Sequence, residues 1–153
     1  MKKSFLLFIA ITVSVIVSAQ VDFSGSWKLN ESKSTLGEQF SMAPKEIIIV
    51  QKGNDLSVET HSEWQGQEFS QTNKYTMDGK ECVNAGFMDT EVKSTLNWSD
   101  DKKSLKMVSK IPFQGETMTI TNVYKKDGSN FVVEMKSSSS YGDMEEIQVY
   151  DKK

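Results

Sequence analysis

Phe23-Ser24-Gly25-Ser26-Trp27-Lys28-Leu29 opens a train of about ten short segments, separated by Gly- and Asp-bearing turns, that runs to the end of the chain. The heptapeptide reads as a strand with a special start. Gly25 permits a kink and a close backbone approach, and Trp27 is large enough to plug one end of a rolled sheet. Downstream, the breaks fall at Lys52-Gly53-Asn54-Asp55, Gln65-Gly66, Asp78-Gly79, Ala85-Gly86, Ser99-Asp100-Asp101, Gln114-Gly115, Asp127-Gly128 and Tyr141-Gly142-Asp143. Asp-Gly is a strong hairpin signal because both central residues of a type I′ turn need positive φ. The runs between breaks are rich in Val, Ile, Thr, Phe, Tyr and Trp, and no long helical period interrupts them.

Strands are predicted over 22–29, 45–52, 55–64, 67–77, 80–84, 90–98, 104–111, 116–125, 130–138 and 144–151. Spacing this even describes an up-and-down meander, and a long meander must close because an open edge aggregates. The expected fold is all-β: an antiparallel up-and-down meander rolled into a barrel of roughly 8–10 strands. One polar connection, Asn30 to Pro44, is longer than the rest and carries Leu36, Phe40 and Met42. It can cross a barrel end with one short helical turn, as a lid or as a plain crossover.

Residues 1–20 read as a secretory signal. Lys2 and Lys3 supply the positive start, Phe5 to Val17 the apolar run, and Val17-Ser18-Ala19 the small-residue cleavage site. The apolar run is short for a membrane span, and the site lacks the Cys of a lipid anchor. The expectation is one domain over 21–153, secreted or periplasmic, without membrane insertion after cleavage and present as a monomer or weak dimer. Loss of Lys2 and Lys3 leaves 16 lysines against 21 carboxylates, a net charge of about −5 that argues against nucleic acid as partner. Cys82 stands alone, so no disulfide closes within the chain.

Residues two apart share a face of a strand. On that basis Leu56, Val58, Thr60, Ser62 and Trp64 form one inward row, and Phe69, Gln71, Asn73, Tyr75 and Met77 another. Val92, Ser94, Leu96 and Trp98 form a third, with similar rows from Leu105, Met118 and Phe131 onward. Gln71, Asn73, Ser94, Ser109, Asn122 and Ser137 recur on them, and each unsatisfied polar group in a dry core would cost about 1–3 kcal/mol. An interior holding water or a guest tolerates them. The candidate ligand-binding residues are therefore Gln71, Asn73, Tyr75, Asn122, Tyr124, Gln148 and Tyr150 as hydrogen-bonding groups, with Trp64, Trp98 and Phe131 as apolar wall.

The Gly25-Ser26-Trp27 opening resembles the Gly-x-Trp start of the lipocalin and fatty-acid-binding protein (calycin) superfamily. The closing Ile147-Gln148-Val149-Tyr150-Asp151-Lys152 resembles the last strand of fatty-acid-binding proteins, which carries an Arg-x-Tyr pair that grips a ligand carboxylate. Tyr75 to Cys82 and Val92 to Trp98 are similar to segments of secreted bacterial lipocalin-like proteins. The resemblance implies a barrel that binds a small hydrophobic or amphiphilic molecule. One departure bears on the ligand: the chain has no arginine, and Gln148 stands where the resemblance places the gripping Arg. A neutral amide lacks the two-pronged fork that holds a carboxylate, so the expected ligand is uncharged. The alternative is a ligand-free barrel serving as an interaction module at the cell surface.

Catalytic chemistry has few candidates. His61 is the sole histidine and falls on the outward face with Ser57, Glu59 and Glu63. No Gly-x-Ser-x-Gly elbow occurs, and His61 and Cys82 lie far apart for shared metal ligation. The expectation is a non-enzyme without cofactor or metal.

Overall fold

The computed structural model describes residues 19–64, 66–86, 90–140 and 142–153, Trp64 by its backbone only. The strands are β1 (Gly25–Leu29), β2 (Glu46–Lys52), β3 (Asp55–Trp64), β4 (Gln67–Thr76), β5 (Glu81–Ala85), β6 (Glu91–Trp98), β7 (Leu105–Phe113), β8 (Glu116–Asp127), β9 (Asn130–Ser139) and β10 (Gly142–Lys152). All pair antiparallel in one 10-stranded sheet of order β4-β3-β2-β1-β10-β9-β8-β7-β6-β5. β1 pairs with both β2 and β10 and so joins the two ends of the meander.

The first strand is shorter than predicted because side chains, not a ladder, satisfy its leading residues. Ser24 N–H donates to Asp22 Oδ1 at 2.8 Å, and Phe23 N–H to Gln51 Oε1 at 3.1 Å. The barrel is nearly closed, and side chains bridge the remaining gap between β4 and β5. The Asn84 amide imitates a strand neighbour: its Oδ1 accepts from Lys74 N at 2.9 Å and its Nδ2 donates to Lys74 O at 3.0 Å. Beside it, Cys82 Sγ accepts from Thr76 N at 3.2 Å, and Gln71 Nε2 donates to Ala85 O. Cys82 is thus a half-buried free thiol inside the seam.

One end of the barrel is sealed by aromatic rings. Phe23, Trp27 and Phe131 are fully or almost fully buried, with Phe131 5.5 Å from Trp27 and 5.8 Å from Phe23 between ring centroids. Trp27 Nε1 donates to Phe23 O at 2.9 Å, which folds the chain start back over the plug. Gly25 makes this possible: its φ is +147°, a region that favours glycine, while an added Cβ would only touch the Trp27 ring, at 3.4 Å. Lys126 Nζ caps the outside of that ring at 5.4 Å.

Candidate binding site at the open end of the barrel

The register confirms the inward rows. Met107, Asn122, Met135 and Glu146 lie opposite one another across β7 to β10, as do Leu105, Tyr124, Val133 and Gln148. Along several rows exposure rises from the sealed end to the other, although on β6 half-buried Trp98 precedes fully buried Leu96. On β4 it climbs from Met77 at 4% through Tyr75 at 8% and half-buried Asn73 to Phe69 at 47%. On β7 and β8, Leu105 and Tyr124 are buried, whereas Ile111 and Met118 are half-buried. The strand-to-strand turns beside Phe69, Ile111 and Met118 therefore surround the less buried end of the barrel, called the mouth below.

The connection 30–44 lies at this same end, because β1 runs out of the sealed end and β2 returns from the open one. Its first half is pinned. Asn30 caps a 3-10 turn, Glu31–Lys33, by accepting from Lys33 N at 3.2 Å, and donates to Asp151 Oδ2 at 2.6 Å. Lys33 Nζ pairs with Asp151 at 2.8 Å, and these two partners hold the Asp151 carboxyl below its ordinary range. Thr35 then exchanges both backbone hydrogen bonds with Ile147, at 2.8 and 2.9 Å, and so continues the β1 edge along β10. Gly37 follows, where any Cβ would strike Phe40 O, and its N–H donates to Glu146 Oε1 at 3.0 Å.

Beneath the mouth is a polar layer. Tyr150 Oη donates to Gln148 Oε1 at 3.0 Å, and Gln148 Nε2 donates to Glu146 Oε2 at 2.8 Å. All three residues are buried, at 0%, 4% and 3% exposure. Burial pushes the Tyr150 phenol up, and the neighbouring Tyr124 and Glu146 raise it further. Burial also raises Tyr124, with Tyr75 adding to the shift, and pushes Tyr75 up to about 12 against a hydrogen bond from Asn73. Three phenols that influence one another this way share one region of the interior.

The predicted site residues thus divide. Tyr75, Tyr124, Gln148 and Tyr150 belong to the buried polar layer, with half-buried Asn73 and Asn122 closer to the mouth and Gln71 exposed at its edge. Phe131 lies in the sealed end, and Trp98 stacks on Phe23 there at 5.8 Å, its indole N–H buried without a partner. The side chain of Trp64 lies outside what the structure describes. Ser94 and Ser109 satisfy each other at 2.8 Å, so these two inward hydroxyls need no water. Glu146 was not among the predicted site residues, although its place in the Met144-Glu146-Gln148-Tyr150 alternation already put it on the inward face.

His61 faces outward, its Nε2 2.8 Å from Glu59 Oε1, in a surface groove bordered by Lys28, Glu46 and Lys153. Among the described residues no group of His, Cys, Asp and Glu has the arrangement of a metal site, and no helix is long and apolar enough to cross a membrane.

Solved structures share this architecture. Human cRBP IV aligns at 18% identity over 87% of this chain and 99% of its own, with a TM-score of 0.59. Zebrafish ileal bile acid-binding protein, solved with cholic acid, aligns at 18% identity over 86% and 98%, with a TM-score of 0.61. Fatty-acid-binding protein 1 of Echinococcus granulosus aligns at 13% identity over 85% and 96%, with a TM-score of 0.60. No protein-family model matches the sequence, and no curated protein matches it. The chain therefore shares the fold of these proteins, in its own case ten antiparallel strands in a nearly closed barrel.

Proposed function

We propose that the chain is an exported binding protein: residues 1–20 direct it out of the cytoplasm and are removed, and the barrel of 21–153 takes a small hydrophobic or amphiphilic molecule through its open end. No catalytic step is assigned to it. The observation that carries this reading is the gradient along several inward rows, from a ring-packed floor at Phe131 to half-buried Ile111, Met118 and Met144. An apolar wall with a few convergent polar groups is the usual make-up of a small-molecule site. The shared fold with proteins named for bile-acid and fatty-acid binding supports it. The ligand's head group lies in the layer of Tyr75, Tyr124, Gln148 and Tyr150, with Asn73, Asn122 and Gln71 along the way in.

The test is titration with the neutral solvatochromic dye Nile red. One saturable site is expected, lost in Asn122→Trp, which fills the level just above the phenols. Absence of saturable binding would favour the second reading, a filled interaction module at the cell surface, which the mutual satisfaction of Ser94 and Ser109 supports.

A further inference from the structure

Glu146 is a carboxylate facing into a barrel, 3% exposed, and no lysine or histidine among the described residues forms an ion pair with it. Among the described residues its hydrogen bonds come from neutral donors, Gly37 N–H at 3.0 Å and Gln148 Nε2 at 2.8 Å, one on each oxygen. A carboxylate offers about four acceptor positions, of which the described residues fill two. Removing a charge from water without a counter-charge is unfavourable, and a cation brought to it recovers the missing attraction.

The surroundings suit such a guest. The Glu146 level of the barrel is completed by Asn122, Met107 and Met135, and Met144 stands one step nearer the mouth. On the next levels toward the sealed end lie Tyr124 and then Tyr150, aromatic residues of the kind that attract a cation. Around the mouth, the turns and connection carry exposed Glu31, Glu38, Glu63, Glu68, Glu91, Glu116 and Asp143, against Lys33, Lys45, Lys93 and Lys110, with Lys28 and Lys153 beside Phe69. An entrance of this balance is only slightly negative and favours cations over anions weakly.

We infer that the barrel selects amphiphiles with a protonated amine head, which Glu146 receives beneath the mouth while the alkyl part lies along Met118, Ile111 and Met144. This inference rests on the proposal that the barrel binds an amphiphile at all. It assigns the head-group chemistry that the proposal leaves open, and it replaces the uncharged ligand expected from the sequence.

The experiment compares three molecules of equal chain length, dodecylamine, dodecanol and dodecanoate, by isothermal titration at pH 7 below their micellar concentrations. The amine is expected to bind about tenfold or more tightly than the alcohol, and the carboxylate more weakly than either. In Glu146→Gln, a near-isosteric change, the amine-to-alcohol ratio of affinities is expected to fall to about one. Binding of the alcohol or carboxylate as tight as that of the amine in the unmodified protein overturns the inference and leaves the binding function standing. So does a ratio that survives Glu146→Gln. If none of the three binds, the binding function itself is wrong. The comparison on the unmodified protein decides the matter even if the variant fails to fold.

Discussion

Replacing Phe131 by Ala and, separately, Met118 by Ala tests the division of the barrel into a packed end and an open end. Phe131 is 0% exposed, and its ring centroid lies 5.2 Å from Tyr124, 5.5 Å from Trp27 and 5.8 Å from both Phe23 and Tyr150. Truncating a buried Phe costs about 3–5 kcal/mol, and each aromatic pair contributes about 0.5–1.5 kcal/mol beyond area. Four ring neighbours held on three different strands and the chain start leave little room for collapse, so Phe131→Ala is placed at the upper end, about 4–5 kcal/mol. Met118 is half-buried beside the mouth, where its removal enlarges an opening instead of creating a closed void. Its loss is expected to cost about 1 kcal/mol, well below the roughly 2–5 kcal/mol of a fully buried Met. Equilibrium urea unfolding, followed by tryptophan emission and far-ultraviolet circular dichroism, measures both. The reasoning fails if Phe131→Ala costs less than about 2 kcal/mol, or if the two variants lose similar amounts at unchanged m.

Three further outcomes are expected. Gly25→Ala, which forces a side chain into φ +147° beside the Trp27 ring, should lower stability by about 1–3 kcal/mol, read as a drop in thermal midpoint. Asn84→Ala removes both amide bonds to the Lys74 backbone but leaves that exposed strand to water, so the global loss should stay near 1 kcal/mol while amide exchange at Lys74 accelerates; unchanged exchange would show that the seam does not depend on Asn84. In alkali, Tyr75 is neutral in the fold up to about 12 but ionises near 10 when unfolded, and Tyr124 and Tyr150 are displaced the same way. Raised phenols give stability that is complete below pH 10 and lost as pH climbs toward 12, so phenolate absorbance from these residues should appear together with unfolding, not before it.

Much of this molecule was legible before its structure because strand alternation and turn chemistry are local. Asp127-Gly128 marked the β8–β9 hairpin, and the period of two sorted Leu56 to Ser62 and Leu105 to Ile111 onto the inner face, whereas Asp78-Gly79 carries the same turn signal but joins β4 to β5, which do not pair. The role of Gly25-Ser26-Trp27 was also local, since the kink and the plug sit two residues apart. What escaped depends on contacts far apart in sequence. That Asn84 staples Lys74 across an unpaired seam follows from where the barrel closes, which alternation does not specify. The position of Trp98 and Phe131 at the sealed end depends on the stagger of strands around the barrel. Glu146 had the right parity to face inward, but its partner Gly37, from the long connection, emerges only from the folded chain.

The central claim is that an amphiphile enters the barrel by the end that Phe69, Ile111 and Met118 surround. Amide and methyl chemical shifts of the isotopically labelled protein, followed by NMR through a titration with dodecylamine, test it most directly. The account predicts saturable shifts at Asn73, Ile111, Met118, Asn122 and Glu146, with Ser57, Glu59 and His61 on the outer face unmoved. Shifts confined to the outer face, or none at all, would contradict it.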